Sequence, residues 1–268
     1  MSKQTHRVDY LGTAGLVQSA TQGAWSFIYK TSTVKDPKYN IGDRVVLPDG
    51  REYHYAKSSG ACISGQGAKF TYSGYTAYTA FGVAAAVGDT SVTVPAATHA
   101  ALSQDELAGG YIAIYDGTTN NVQFRGIVGN DAAILNVAFV CYLDGPLSEA
   151  VVAATSACET FQNPYAALQT ATNKEPIAGI PAVKVTASNV YFWIQTRKFC
   201  WIAPQGGKIG TAEGSGSLCG GFWSDVGNVS DAETSLGVTV AAGRGSQYAG
   251  YVVEGDADNI GPLFCLQG

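Results

Sequence analysis

Charged residues are scarce in this sequence. Asp, Glu, Lys and Arg make up 14% of the 268 residues, against about a quarter in an average soluble domain. Lys and Arg form no cluster, and the net charge is −5. Because nucleic-acid binding depends on a basic face that neutralises phosphates, this composition argues against a direct nucleic-acid partner.

Long apolar runs are also missing. The longest, around Val151–Ala154, is far shorter than the roughly 20 apolar residues that a membrane-spanning helix needs. The segment Met1–His6 lacks the apolar stretch of a secretory signal. We therefore expect a protein that is made and kept in a cytosol and has no membrane partner.

Cysteine is present without the spacing of a metal or redox motif. The six cysteines are Cys62, Cys141, Cys158, Cys200, Cys219 and Cys265, and no two of them form a Cys-x-x-Cys pair. Their density is far below that of a small disulfide-stabilised protein. We expect buried, reduced thiols that pack as small apolar side chains.

The common catalytic motifs are absent or incomplete. The three histidines, His6, His54 and His99, lie in no catalytic motif, and the sequence Gly-x-Ser-x-Gly does not occur. Gly206–Lys208 is followed by Ile209, where a phosphate-binding loop needs Ser or Thr to hold magnesium. We predict a protein that is not an enzyme and needs no cofactor. Two distant carboxylates acting on a sugar stay an open alternative, because the sequence does not give their separation.

One acidic segment has some of the oxygen ligands of a calcium site. Glu254, Asp256 and Asp258 alternate in the sequence Glu-Gly-Asp-Ala-Asp. The twelve-residue EF-hand pattern is incomplete, since no closing Glu follows. We predict a solvated acidic turn and no metal, with these three residues as a weak candidate site.

The residues that are abundant favour strands and tight turns. Asp49-Gly50 separates Val45-Val46-Leu47 from the strand-prone segment Arg51–Ala56. This is a hairpin signal, because glycine takes a positive φ at no steric cost. Side chains alternate along a strand, so Tyr53 and Tyr55 are expected to share one face.

The remaining pattern predicts an all-β, antiparallel sandwich or barrel with one short helix, long loops and an extended N-terminal arm. The helix is predicted over residues 97–107, where Gly and Pro are missing until Gly109-Gly110. Further strands are predicted at Thr90–Val94, Tyr111–Tyr115, Val122–Val128, Ile134–Leu143, Val183–Thr186, Val190–Thr196, Phe199–Ile202, Leu236–Ala241, Tyr248–Val253 and Leu263–Leu266.

Four segments follow from these patterns. Residues 1–40 form the arm, 41–162 a β-rich domain, 163–182 a proline-containing crossing, and 183–268 a β-rich C-terminal part that shares the same core. The arm is polar, with isolated apolar anchors at Tyr10, Leu11, Leu16, Trp25, Phe27 and Tyr29. It is expected to lie along a partner or along its own domain, and to order at assembly in the first case.

A second set of candidate contact residues recurs at every third position. It consists of Tyr72, Tyr75, Tyr78 and Phe81, a spacing that fits neither a strand nor a helix cleanly. Aromatic rings of this kind suit a protein interface, because they combine a large rigid area with a polar tip. Stacking on a sugar ring and packing into the core are the two alternatives.

The order of several motifs resembles the capsid cement or decoration proteins of tailed phages. The motifs are Gly42–Lys57, Val87–Val94, Leu107–Ile114, Asn163–Tyr165, Tyr191–Thr196, Leu236–Val240 and Tyr248–Val253. They span roughly residues 40–255. The sequence departs from the family pattern at Arg197–Trp201, at Gly206–Gly221 and after Asp256.

The resemblance implies a virion structural protein on the outer capsid surface, made in the host bacterial cytoplasm. Its partners would be the major capsid protein and copies of itself, often as trimers. Deleting residues 1–39 is expected to abolish binding to bare heads and to leave the domain folded. The alternative is a glycan-binding module of a phage tail or head fibre, acting through the tyrosines at positions 72, 75 and 78.

Overall fold

The computed structural model describes residues 4–10, 13–19, 25–71, 74–96, 99–117, 121–172, 175–203, 220–223, 228–230, 247–254 and 263–267. The chain divides into two compact units. One is discontinuous and consists of Met1–Thr71 and Tyr165–Gly268. The other, Tyr72–Pro164, is inserted between these two pieces and is called the inserted unit below. These boundaries differ from the divisions at residues 40, 162 and 182 that the sequence suggested.

The described residues form eighteen strands and two short 3₁₀ helices, Ser26–Tyr29 and Pro164–Ala166. The strands are β1 (Gln4–Tyr10), β2 (Thr13–Ser19), β3 (Arg44–Val46), β4 (Glu52–Lys57), β5 (Ala68–Phe70), β6 (Gly74–Ala80), β7 (Ser91–Val94), β8 (Tyr111–Tyr115), β9 (Val122–Asn130), β10 (Phe139–Leu143), β11 (Ala157–Phe161), β12 (Leu168–Thr170), β13 (Ile177–Pro181), β14 (Tyr191–Trp201), β15 (Gly220–Trp223), β16 (Val229–Ser230), β17 (Tyr248–Glu254) and β18 (Leu263–Leu266).

The strands build one curled antiparallel sheet in each unit. In the discontinuous unit the order is β16-β15-β17-β18-β14-β4-β3-β1-β2. Three further strands lie off this path: β13 pairs with both β14 and β5, and β12 pairs with β5. In the inserted unit the order is β6-β11-β8-β9-β10-β7. Strands account for 44% of the chain and each sheet forms a half-barrel. The predicted all-β antiparallel fold is confirmed.

The hairpin predicted around Asp49-Gly50 is present between β3 and β4. Gly50 has a φ of +84° and donates its N–H to Leu47 O at 2.9 Å. Tyr53 and Tyr55 are both buried on one face, as their alternation indicated. They pack with Val45 and with Trp193 of β14.

The predicted helix over residues 97–107 is wrong. Within its described part, Leu102 forms an antiparallel bridge with Ala133, and the chain then turns through residues 104–109. The N–H of Leu107 is bound by the Asn130 side chain at 2.8 Å, and that of Gly109 by Ile127 O at 2.8 Å. A side-chain oxygen and a carbonyl oxygen of β9 thus take hydrogen bonds that a helix would have made internally, and tertiary pairing overrides propensity.

The crossing predicted at residues 163–182 contains secondary structure of its own. It includes the second 3₁₀ helix and strands β12 and β13, both of which pair with β5. The predicted strand Val183–Thr186 is reduced to a single bridge between Val185 and Cys62. Leu236–Ala241 lies outside the described residues.

The N-terminal segment is part of the discontinuous unit. Strands β1 and β2 form a hairpin that pairs with β3 through Val8 and Val45. Ile28 of the first 3₁₀ helix is fully buried, and Phe27 packs edge-on against Trp193 with ring centroids 5.4 Å apart. Phe27, Ile28 and Tyr39 thus pack within their own unit, whereas contact of the exposed side chains of residues 25–40 with a partner stays a prediction.

This packing changes the expected effect of truncation. Ile28→Ala should lower the free energy of unfolding by about 2–4 kcal/mol, because a buried side chain is lost and a cavity remains. Val34→Ala is the matched control, since Val34 is 72% exposed and its change should stay within about 0.5 kcal/mol. Urea denaturation measures both.

For the same reason, a chain lacking residues 1–39 should not fold like the intact one. A truncated protein with an unchanged denaturation midpoint would contradict the role given to Ile28.

Candidate functional site

The structure describes only some of the predicted contact residues of the N-terminal segment. Trp25 and Phe27 are half-buried against the aromatic core around Trp193, whereas Tyr29 is 51% exposed. Tyr10 and Leu16 lie in β1 and β2, whose side chains are outside the described part of the chain. Leu11 is not described at all. In this segment, therefore, the clearest exposed aromatic side chain is Tyr29.

The structure likewise describes only some of the aromatic residues predicted at every third position. Phe81 is 1% exposed and belongs to the core of the inserted unit, so for this residue core packing is correct and partner contact is wrong. Tyr75 and Tyr78 lie in β6, but their side chains are outside the described part, and Tyr72 is not described. Their roles in protein contact or sugar stacking stay predictions.

The acidic segment gives no metal site within the described residues. Glu254 ends β17, with its side chain outside the described part, and Asp256 and Asp258 are not described. Among the described residues, no group of three or more His, Cys, Asp or Glu side chains is placed to hold a metal ion.

The histidines that are described in full have structural partners. His54 stacks on Tyr165 with ring centroids 4.5 Å apart, and its Nε2 lies 3.2 Å from the Glu52 carboxylate. His99 is buried, with Nδ1 at 2.6 Å from Ala100 O and Nε2 at 2.9 Å from Val137 O. Each ring therefore fixes neighbouring backbone or side-chain atoms. These partners of His54 and His99 include no Ser or Cys side chain that either ring could activate.

The described cysteines are buried thiols, as expected, and none forms a disulfide; Cys219 is not described. Burial raises the pKa of Cys62, Cys158 and Cys200 to about 12, and it raises the pKa of Cys141 above the usual range. Since the thiolate is the reactive form, these side chains are held in the unreactive one.

Asp43 is a buried carboxyl group with a structural role. Its Oδ2 accepts a hydrogen bond from the Asn40 N–H at 2.7 Å, and its carbonyl oxygen accepts one from the Tyr55 N–H at 2.9 Å. Burial raises the pKa of Asp43 from 3.8 to about 6, outweighing the opposing effects of the Asn40 hydrogen bond and of Lys35. The Asp43 side chain and carbonyl oxygen thus fix the turn before β3, while burial disfavours the charged form of the carboxyl group.

A surface that the sequence analysis missed lies on the inserted unit. It is called the outer face and is formed by Tyr111 of β8, Val122, Phe124 and Val128 of β9, and Tyr142 of β10, all of them exposed. Phe124 is 57% exposed, and its ring stacks on that of Tyr111, with centroids 5.1 Å apart and planes 16° from parallel.

The outer face arises from an inverted burial pattern in β9. Val122 and Phe124 face outward, while Gln123 between them is buried. The Gln123 carboxamide accepts hydrogen bonds from the Ser148 N–H at 2.9 Å and the Glu149 N–H at 3.2 Å, and it donates one to Glu149 O at 3.1 Å. The backbone of residues 148–149 therefore satisfies a buried amide, and two apolar side chains remain on the outside.

This pattern explains why sequence reasoning missed the surface. Alternation in a strand normally places the apolar set on the core side, which predicts Val122 and Phe124 inside. Polar groups are buried only where partners satisfy them. The partners of Gln123 come from a segment more than twenty positions away, and that segment carries no local signal of the pairing.

The outer face lies in a strongly acidic unit. Tyr72–Pro164 contains eight Asp or Glu residues and one Arg, a net charge of −7 with His99 neutral. The rest of the chain has 13 acidic and 15 basic residues. The guanidinium of that single Arg125 donates to Pro146 O at 3.2 Å and to the Ser148 hydroxyl at 3.4 Å.

Two carboxylates border the outer face directly. Asp131 accepts a hydrogen bond from the Tyr142 hydroxyl at 2.9 Å. The Asp144 carboxylate lies over Gly126, 2.7 Å from where a Cβ of that residue would be. The outer face therefore combines exposed apolar side chains with two carboxylates, and that of Asp144 lies between Phe124 and Val128 along β9.

The chain matches no protein-family profile, no curated protein and no solved structure. Within the described ranges, no helix is long and apolar enough to cross a bilayer. The inverted burial pattern of β9 is therefore the main structural feature that bears on function.

The buried carboxyl group gives a pH-dependent prediction. Because the folded-state pKa of Asp43 is raised, its stabilising contribution is complete below pH 3.8 and is lost as the pH rises through about 6. The stability of Asp43→Asn relative to the wild type should therefore increase between pH 4 and pH 7, by up to about 3 kcal/mol. Urea denaturation at several pH values measures this difference.

The exposed and non-titratable Val34→Ala is the control, and its difference from the wild type should not change with pH. Parallel pH profiles for the wild type and Asp43→Asn would show that Asp43 does not titrate as described.

Proposed function

We propose that this protein is a non-enzymatic virion structural protein. In this proposal it is a capsid decoration protein that binds the outside of an assembled head, in oligomers such as trimers, and clamps neighbouring major capsid subunits. The observation that carries the proposal is the outer face, where Phe124 and Val122 are exposed while Gln123 is buried. The order of the sequence motifs supports the same family of structural proteins.

The outer face has the make-up of a protein interface. Exposed Tyr and Phe side chains at the centre of a patch provide most of the binding energy in many complexes, and a polar rim excludes water around them. Tyr111 and Phe124 already stack on each other, so little side-chain freedom is lost when a partner covers them.

Charge indicates what kind of partner fits. The inserted unit has a net charge of −7, and Asp131 and Asp144 border the outer face. A partner surface with both apolar and basic side chains would be attracted to it, and attraction between exposed charges weakens with salt. The proposal is therefore a contact with a protein surface on the outside of the head, away from the packaged nucleic acid.

The stacked rings also favour a second candidate, a glycan-binding module. A sugar ring could stack on the exposed face of Phe124, next to the Tyr111 hydroxyl. This candidate predicts binding to isolated glycans without a capsid. A glycan array with the wild type and the variants described next would separate the two functions.

The test of the decoration proposal is binding to heads that lack this protein. Tyr111→Ser combined with Phe124→Ser should weaken binding at least tenfold, because each ring of such a patch contributes on the order of 1–2 kcal/mol. Folding should be unchanged, since both side chains are exposed. Val34→Ser on the other unit is the control. Co-sedimentation at increasing salt measures the affinity, which should fall as salt rises.

Undiminished binding by the double variant would remove the outer face from the proposal. If the protein were found in purified virions at only a few copies, the decoration function itself would be excluded, because a shell component must be present at tens to hundreds of copies.

A further inference from the structure

A tight turn between β9 and β10 exposes apolar side chains of the inserted unit. It consists of residues 134–137, and the N–H of Val137 donates to Ile134 O at 3.3 Å. Ile134 is 72% exposed, Leu135 is 62% exposed, and Val137 is exposed as well. Residues 134–137 are called the apolar turn below.

The composition of the apolar turn is unusual for its position. Turns are normally built from Gly, Pro, Asn, Asp and Ser, which supply the required backbone angles. Only Asn136 follows this rule: its φ is +60°, at the third position of the turn, where type II geometry favours Gly or Asn. A departure from local preference without a structural gain is a reason to look for a function. Ile134 and Leu135 are two such departures.

The apolar turn is fixed at its base by His99. The backbone N–H of His99 donates to the Asn136 side-chain oxygen at 3.0 Å, and the Asn136 N–H donates to His99 O at 3.3 Å. The His99 ring is buried, with Nε2 at 2.9 Å from Val137 O, and it packs edge-on against Phe139 with ring centroids 5.3 Å apart. A turn fixed in this way loses little conformational freedom when a partner covers its exposed side chains.

The chain that enters the apolar turn is anchored to the core. Leu102 and Ala133 each donate their N–H to the other's carbonyl oxygen, at 2.8 and 2.9 Å. Leu102 is buried in the core of the inserted unit, and Ala133 packs against that core. Ile134 and Leu135 follow directly and are exposed, so their substitution should leave the fold intact.

Carboxylates lie close to the strands that carry the apolar turn. Asp131 accepts a hydrogen bond from the Tyr142 hydroxyl at 2.9 Å. This bond and the negative charges of Asp131 and Asp105 raise the pKa of the Tyr142 phenol. The inserted unit has a net charge of −7. The surroundings of the apolar turn are therefore negative.

This charge distinguishes three kinds of occupant. Proteins that insert apolar side chains into an anionic lipid surface surround them with Lys and Arg, whereas the inserted unit has one Arg. A second copy of the inserted unit would bring another charge of −7 into the contact, and like charges oppose it. An apolar pocket of a protein, with Lys or Arg beside it, fits both the apolar side chains and the carboxylates.

We infer that the apolar turn inserts into such a pocket on a major capsid subunit, next to the subunit that the outer face contacts. This inference rests on the proposed capsid function and adds a second contact to it. A protein that clamps two subunits needs a contact with each, and the outer face supplies one. The antiparallel pair of β9 and β10 carries both the outer face and the apolar turn.

The first test is binding of the full-length protein to heads that lack it. Ile134→Ser combined with Leu135→Ser should weaken binding at least about tenfold in co-sedimentation, because two apolar side chains are lost from a buried contact. Val87→Ser is the matched control, since Val87 is 63% exposed in another loop of the same unit and lies outside both contacts. Its binding should equal that of the wild type.

The second test measures clamping. The wild type should raise the temperature at which heads disassemble, because it binds neighbouring subunits only while they are assembled. A protein that contacts one subunit binds assembled and dissociated subunits alike and gives no such shift. At concentrations that saturate the heads, the Ile134→Ser, Leu135→Ser double variant should therefore lose most of the shift, and Val87→Ser should keep it.

The charge of the pocket is tested at position 135. Leu135→Lys should weaken binding to heads more than Leu135→Glu does, because a positive charge is placed against Lys or Arg of the pocket. Equal effects of the two variants, or the opposite order, would overturn the basic character given to the pocket.

The outcomes separate this inference from the function on which it rests. If the double variant binds and stabilises heads like the wild type, the inference is overturned and decoration through the outer face stands. If the wild type itself does not bind heads, both are overturned. Binding to phosphatidylcholine and phosphatidylserine vesicles, or self-association without heads in sedimentation velocity, that the double variant loses would identify a lipid surface or a second copy as the occupant, and either result overturns the inference.

Discussion

The antiparallel pairing of β4 with β14 is the contact on which the discontinuous unit depends. It joins Lys57 to Tyr191 and continues to Glu52 and Arg197, so it closes the chain around the whole inserted unit and carries the entropic cost of a long-range contact. That cost is offset on both faces of the pair. Trp193 packs with Tyr53 and Tyr55 on one side, and Phe192 and Ile194 pack with Ala56, Leu168 and other small apolar residues on the other.

The end of the same pairing holds a β-bulge at Thr196, and Lys198 beyond it has a φ of +70°. Where β14 leaves β4 for β18, Gln195 binds the carbonyl groups of Arg197 and Phe199 and receives the Tyr53 hydroxyl. Tyr53 is itself part of the core beside Trp193. The positive φ of Lys198 is therefore stabilised by the packing that holds the sheet together, and a local feature at the surface depends on buried contacts of the unit.

The two units differ in charge and in what their surfaces offer. The inserted unit has eight acidic residues against one arginine, with aromatic rings exposed on its sheet, whereas the rest of the chain is slightly basic. A compact insertion with its own core can acquire a binding surface without disturbing the host sheet. In the inserted unit the exposed outer face depends on Gln123, whose buried amide binds residues 148–149 and leaves Phe124 outside.

Local sequence determined the features that depend on neighbouring residues. Asp49-Gly50 specified the β3–β4 hairpin, short runs bounded by turn residues indicated half of the described strands, and the scattered cysteines are buried thiols in the described chain. Tertiary structure decided the features that depend on distant partners. Leu107 and Gly109 bond to β9 instead of within a helix, Phe27 and Ile28 pack on their own core, and β9 buries a glutamine instead of a phenylalanine. The physical reason is that a backbone or amide group goes wherever its hydrogen bonds are satisfied, and here the satisfying groups lie far away in the sequence.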